Sequence, residues 1–292
     1  MRGAGRGIEM RNSSVFVDMH IHSCHSDGTE SVESICQRAV ENGVGIISIT
    51  DHNELAGTRE ALEIAPNYGL QALQGIELDS TYEGHRCHLL GYGFDLEDAS
   101  FNRFVADNKM LLERTDEETL RRIAKEYPID ISAYQEYSCS HKDGGFKLIH
   151  FLVAQGAADN METAISLMKR YKKRACFPKA EEVIQKIHHA GGVAILAHPG
   201  ETFKITDGGN AETDRHLEEF RQFGIDGIEC FYPKHKEIFE RRLVDYCLLW
   251  DMYITVGGDY HGDFFRGSKQ KIGCEFKRIK DLRLKNLLDI DC

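Results

Sequence analysis

Apolar and polar positions follow two rhythms along this chain. Short runs rich in β-branched residues at 15–20, 45–50, 70–78, 88–91, 193–197, 227–230 and 253–257 have the length and composition of strands. Between most of them, apolar residues recur three and four positions apart. Residues 31–42 place Val32, Ile35, Cys36, Ala39 and Val40 on one helical face, with Gly43 just beyond the end. Residues 55–65 repeat the pattern before Pro66, and 180–190, 214–223 and 235–250 repeat it in the second half. Tyr82-Glu83-Gly84-His85 has turn chemistry, so the run at 88–91 is expected to return as a hairpin partner of 70–78.

The alternation breaks at residues 98–178, which are polar, helical in pattern at 98–127, 146–155 and 161–171, and contain no convincing strand. They predict a helical subdomain inserted between two halves of an α/β domain, 15–97 and 179–292, and capping its mouth. Residues 279–288 are expected to form a final covering helix. With 292 residues and 41% hydrophobic content, one sizeable core and an insertion are affordable. Residues 1–14 carry three glycines, three arginines and no apolar stretch, so they read as a flexible tail and not a signal peptide, with Met10 an alternative start. No apolar run is long enough to predict a membrane span.

The chemistry sits at the ends of the strand runs. Val17-Asp18-Met19-His20-Ile21-His22 puts two histidines one residue apart, and strand alternation aims both at one point. An isolated His-x-His closes many strands without further meaning, so the recurrence carries the argument. Asp51 and His52 follow the second run, Glu77 follows Leu73-Gln74-Gly75-Ile76 near the end of the third, His198 follows the run at 193–197, and Asp259 and His261 the last. In α/β architectures the carboxyl ends of strands share one ligand-binding edge, which brings these residues to a common mouth. His88 points to the same mouth, whereas His85 lies at the solvated turn. Imidazoles and carboxylates together suit zinc, manganese or iron.

Charge and cysteine usage narrow the partners. A formal net charge of −11 disfavours an extended nucleic-acid surface and favours a small anionic substrate drawn by bound cations. Nine cysteines without regular spacing read as reduced thiols of a cytoplasmic protein, and Cys24 as a packing residue. The basic stretch 169–174 reads as a solvated face that acquires a phosphate-clamping role only if it turns toward the mouth.

Asp18 to His22, Thr50-Asp51-His52, Gly75-Ile76-Glu77, Ala197-His198-Pro199 and Gly258-Asp259-Tyr260-His261 occur in an order that resembles the polymerase and histidinol phosphatase (PHP) family of metal-dependent phosphoesterases. The resemblance covers most of residues 15–262. It implies a distorted (β/α)7 barrel, which the count of seven strands supports, and two or three divalent ions of manganese, iron or zinc. By position, His20, His22, Glu77 and Asp259 would hold a first ion, Glu77, His88 and His198 a second, and Asp27, His52 and His261 a third. The nucleophile would be a metal-bound hydroxide, with no protein nucleophile. Asp18 and Asp51 are expected to point away from the ions, either orienting ligating imidazoles or bonding structurally. His25, His216 and His235 are read as surface residues.

Substrate choice rests on the insertion. Its placement resembles the branch acting on small sugar and nucleotide phosphates. This chain has Glu201 and Asp143-Gly144-Gly145-Phe146-Lys147 where nucleotide-acting relatives carry arginines, which leaves Lys147, Arg174 or Lys179 to hold a phosphate. The expected substrate is therefore a small cyclic sugar phosphate, such as ribose 5-phosphate 1,2-cyclic phosphate, cleaved at both ester bonds. The alternative is a nucleoside 3',5'-bisphosphate 3'-phosphatase or a 5' exoribonuclease of short oligonucleotides. A metal-stabilised module without turnover would be expected to show gaps among the nine ligand positions, and a thiol enzyme would need Cys24 or Cys87.

Overall fold

The computed structural model describes residues 15–140, 144–172, 177–263, 271–285 and 287–288. The expected tail, and Arg174 with it, lie outside them. The β-branched runs form strands because both of their faces are covered. β1 (Phe16–Ile21) and β2 (Val44–Ile49) are almost wholly buried and pair in parallel, and the two-residue β3 (Gln71–Ala72) pairs in parallel with the other edge of β2. A second sheet runs β4 (Gly75–Tyr82), β5 (His85–Tyr92), β6 (Val193–Leu196), β7 (Gly227–Phe231) and β8 (Tyr253–Val256) in that order. Within it, β5 is antiparallel to both β4 and β6, and the last three strands are parallel. The hairpin closes through Glu83 at φ 47° and Gly84 at φ 76°. Positive φ at both central residues suits a tight two-residue loop and explains the glycine.

Two expectations about strands change. The single strand at 70–78 divides into β3 and β4 as the chain passes from one sheet to the other. The hydrogen-bonded strands then number eight, in sheets of three and five, and no closed sheet is found among the described residues. The established architecture is thus a mixed α/β fold. The sheets nevertheless touch at two seams. His22 N–H donates to Tyr260 O at 2.8 Å on one side, and Asn53 N–H donates to Glu77 O at 2.9 Å on the other. Inward-facing Val17, Met19, Ile46, Leu90, Tyr92, Ile195 and Val256 from both sheets meet in one apolar cluster. There the Tyr92 hydroxyl donates to Met19 O at 2.7 Å, satisfying its polar tip inside the core.

Helices cover the outer faces. α1 (Val32–Glu41) starts at Ser31, whose hydroxyl accepts the Ser34 N–H, and with α2 (Ala56–Ile64) it covers the three-stranded sheet. α3 (Ala99–Ile123) is capped by Asp98 and shorter than the 98–127 expected. Its first half packs Phe101 and Val105 on the larger sheet's core. Its second half joins α4 (Lys147–Ala154) and α5 (Met161–Tyr171) in a separate cluster around Leu120, Leu148 and Phe151. α6 (Ala180–His189), a short α7 (Pro199–Thr202), α8 (Ala211–Phe223) and α9 (Glu237–Leu249) complete the order. The expected covering helix at 279–288 is instead a 3-10 turn, Ile279–Asp281, because Arg283 exchanges backbone hydrogen bonds with Ile254 of β8. Among the described residues no helix is long and apolar enough to cross a membrane.

Phe101 joins α3 to the sheet against Phe94, with ring centroids 4.8 Å apart. Phe101→Ala is expected to lower stability by about 3–5 kcal/mol. Urea unfolding should show this as a lower midpoint at an unchanged slope.

Candidate metal centre

The convergence that the sequence pattern implies occurs, but not at strand ends alone, since Glu77 lies near the start of β4 and His88 in the middle of β5. His20 and Ile21 end β1, and His22 follows at once. His52 lies beyond β2, Glu77 in β4, His88 in β5, His198 directly after β6, and Asp259 and His261 after β8. Asp27 comes from the loop before α1. All nine expected residues meet in one place. His20, His22 and Glu77 are completely buried there.

Three groups of electron-pair donors result. In the first, His20 Nε2 and His22 Nε2 lie 3.1 Å apart. Glu77 Oε2 is 3.3 and 3.2 Å from them, and Asp259 Oδ1 is 3.5 and 3.2 Å away. In the second, Glu77 Oε1 is 2.9 Å from His88 Nδ1 and 3.0 Å from His198 Nε2, while Glu77 Oε2 is 3.2 Å from His52 Nδ1. In the third, Asp27 reaches His22 at 3.4 Å, His261 at 3.3 Å and His52 at 3.9 Å.

This set fits divalent ions on its own geometry. Four donors at about 2.0–2.1 Å around one ion stand roughly 3.3 Å from each other, close to the spacings of the first group. Three of these buried atoms, His22 Nδ1, His52 Nδ1 and Glu77 Oε2, also have no hydrogen-bond partner, a cost that a bound cation would remove.

Electrostatics point the same way. Burial alone would raise the Glu77 pKa, but His52, His88 and His20 hold its carboxyl well below the usual range. Burial disfavours imidazolium at His22, yet Asp259 and Glu77 overrule it and push its pKa up to about 10. His88 rises to about 9 against burial through Glu77 and Asp79, while at His52 burial prevails and lowers the pKa to about 3.

A ring of supporting residues, mostly unseen in the sequence, fixes these donors. Glu229 of β7 is completely buried; its Oε1 lies 2.9 Å from His20 Nδ1 and its Oε2 accepts the His198 N–H at 2.8 Å. That grip leaves His20 Nε2 as the lone-pair nitrogen. A signal for it existed: Gly227-Ile228-Glu229-Cys230-Phe231 puts one carboxylate in a buried strand. Asp79 holds His88 Nε2 at 3.2 Å in the same manner. His198 and Asp259 have φ of 26° and 49°, unusual for side-chain-bearing residues. The Tyr232 hydroxyl steadies Asp259 by donating to Oδ2 at 3.2 Å.

Of the two roles open to Asp18 and Asp51 the structure takes one, and two of the three histidines read as surface residues are placed otherwise. Asp18 and Asp51 touch no ligand imidazole. Asp18 accepts backbone N–H groups of His20, Gly258 and Gly273, and Asp51 accepts from Ser23 and Ser26, so both bond structurally. His216 is buried, stacked on Phe203 at 4.4 Å and bonded to Tyr82. His235 is also no surface residue. Its Nδ1–H donates to Cys230 O and its Nε2 accepts the Gly200 N–H, which anchors the turn after His198. Only His25 lies near the surface, paired with Glu60 at 2.6 Å.

Lys147 Nζ donates to Gln135 O and sits over the Tyr134 ring. Lys179 is exposed at the start of α6. Neither lines the cavity above the donors, a space of ≈390 Å³ bounded by Arg86, Glu201, Thr202, Tyr232 and Lys234 as well as the donors themselves. Among its described lining residues there is no serine or cysteine.

A mixed α/β fold carrying such a donor cluster defines a metal-dependent phosphoester hydrolase. The chain belongs to the PHP domain family, whose sequence profile matches residues 18–227. It is 28% identical over 254 residues to a 5'-3' exoribonuclease of Haemophilus influenzae, covering 84% of this chain and 89% of that one. It is 26% identical over 268 residues to a phosphoribosyl 1,2-cyclic phosphate 1,2-diphosphodiesterase of Eggerthella lenta, covering 85% and 95%. A solved structure from Bifidobacterium adolescentis matches with a TM-score of 0.72 at 23% identity over 91% of this chain and 98% of that one, a likeness of fold alone.

Two outcomes follow from the donor geometry. With pKa values of about 10 and 9, His22 and His88 are protonated at pH 7 in the metal-free protein, so binding a divalent ion must release protons. Zinc affinity should therefore rise from pH 6 to 9, and calorimetry in buffers of different ionisation enthalpy should register the released protons. Glu229→Gln should weaken metal binding about 10–100-fold, read by competition with a chromophoric chelator.

Proposed function

We propose that this protein hydrolyses a small cyclic sugar phosphate, such as ribose 5-phosphate 1,2-cyclic phosphate. One water opens the ring and a second removes the monoester to release phosphate. The observation that carries this reading is the convergence of three donor groups at one cavity of ≈390 Å³, which has room for a pentose phosphate. The near-complete span of the cyclic phosphodiesterase relative supports it.

In this reading His20, His22, Asp27, His52, Glu77, His88, His198, Asp259 and His261 hold two or three ions of manganese, iron or zinc. Such ions, when bound, neutralise charge on phosphoryl oxygens and lower the pKa of water toward neutrality. The protein's own residues do the positioning. Glu229 and Asp79 keep His20 and His88 in one tautomer, and Tyr232 fixes Asp259. In this reading a metal-bound hydroxide would be the nucleophile, and no side chain is assigned that part.

Residues 98–178 act as the cap in the same reading, supported by the Gly145 N–H donating to Asp27 O at 2.7 Å and by the Phe146 ring 6.1 Å from that of His52. A cytoplasmic setting is part of it, since seven described cysteines are free thiols.

A second reading, a nucleoside 3',5'-bisphosphate 3'-phosphatase or a 5' exoribonuclease of short oligonucleotides, is favoured by a neighbouring cavity. That space, also ≈390 Å³, shares Arg86, Glu201 and Thr202 with the first and is walled by Tyr82, Phe203 and His216, aromatic surface on which a base can stack.

The deciding experiment is phosphate release by manganese-reconstituted protein, comparing ribose 5-phosphate 1,2-cyclic phosphate with adenosine 3',5'-bisphosphate and following products by phosphorus NMR. Preferential turnover of the cyclic ester with free phosphate as product is expected. Preference for the bisphosphate would replace the first reading by the second. Chelation should abolish either activity.

A further inference from the structure

The residue that joins the two cavities is Arg86, which bounds both of them. It lies on β5 two positions before His88, so strand alternation gives the two side chains the same face. Its guanidinium is already held in place on two sides. Nε and Nη2 donate to the two oxygens of Asp79, and the Phe177 ring lies 5.4 Å from the guanidinium carbon. Asp79 is itself immobile. It is completely buried and also bonded by His88 Nε2 at 3.2 Å and Asn53 Nδ2 at 2.7 Å. Arg86 keeps a side-chain exposure of 22%, and its Nη1 has no partner among the described residues.

We infer that Arg86 is an anion-binding residue of this site, using the unpaired edge of its guanidinium to hold a phosphate oxygen of the substrate at the junction of the two cavities. The inference rests on the phosphoesterase reading above and adds a specificity-determining residue to it. A guanidinium presents several N–H donors in one plane, which matches a phosphate better than a flexible ammonium does. The Asp79 and Phe177 contacts fix that plane beforehand, so little entropy is lost on binding.

The competing cations are less suited. Lys234 is exposed and paired with Glu201 at 3.0 Å, and Lys204 is an exposed side chain at the second cavity alone. Asp79 does not cancel the site, because its charge is shared among Arg86, His88 and Asn53. One carboxylate thereby sets both the tautomer of a metal donor and the direction of the anion clamp.

The test is calorimetric titration of inorganic phosphate into the zinc-loaded protein. Arg86→Gln should raise the phosphate Kd roughly 10–100-fold, the loss of one or two charge-assisted hydrogen bonds, with zinc stoichiometry unchanged. An unchanged Kd at full zinc content would overturn the inference.

Should Arg86→Gln fail to fold or lose zinc through the freed Asp79, the wild-type protein decides the matter. The Arg86 side-chain nitrogen signals, assigned by their absence from Arg86→Lys, must shift when phosphate is added to the zinc-loaded protein. Signals that do not move would sink the idea. Steady-state kinetics then locate the phosphate: a fall in kcat assigns Arg86 to the reacting group, and a rise in KM alone assigns it to a neighbouring one. Absence of turnover on every ester would count against the phosphoesterase reading without affecting the phosphate titration.

Discussion

A single carboxylate, that of Glu77, is the constraint on which the rest of this structure depends. It is wholly buried and lies within 3.3 Å of ring nitrogens of His20, His22, His52, His88 and His198. A charged group withdrawn from water is tolerated only when it is paired and hydrogen-bonded. Here the partners are imidazoles that must either carry protons or turn lone pairs toward a cation. Protons and divalent ions compete for the same atoms, so the polar heart of the protein is poised for metal before any substrate is considered.

The surrounding architecture holds that arrangement against its own cost. His198 and Asp259 occupy left-handed backbone conformations, and each has specific restraint. Glu229 takes the His198 N–H, His235 takes the Gly200 N–H two residues on, and Tyr232 holds the Asp259 carboxylate. Glu229, Tyr232 and His235 all come from β7 or the few residues after it. With Glu229 also gripping His20, one strand that contributes no metal donor therefore helps to aim donors from three that do. Asp18 plays a comparable part for the backbone, tying β1 to the segments at Gly258 and Gly273.

The helices between β5 and α6 have a different relation to the site. The second half of α3 with α4 and α5 packs around a core of its own, yet Asn108 of α3 donates to Asn53 Oδ1 and Asp79 O. Asn53 and Asp79 in turn lie next to His52 and support His88. Position thus passes from the helical segment to the donor cluster through these polar contacts, beside the apolar seat of Phe101 and Val105 on the sheet.

How much of this was legible beforehand depended on the range of the interaction involved. Strand and helix periods are local, so β1, β2, α1 and α5 could be placed nearly to the residue; most of the donors stand in or just after an apolar run, and Asp27, in a loop, was named by the family resemblance alone. The split of 70–78 into β3 and β4, the arrangement in two sheets, and the turn at Ile279–Asp281 in place of a helix arise from hydrogen bonds to distant strands, which no local pattern encodes. The supports were hidden for the same reason. Glu229 stands 209 residues from His20, the buried His216 and the half-buried His235 look like ordinary polar positions, and Arg86 becomes notable only once Asp79 holds it beside His88. By itself the sequence determined which side chains could bind metal, because chemistry resides in residue type. Tertiary structure alone decided which atoms face one another, because orientation is set by packing and hydrogen bonds between segments far apart in the chain.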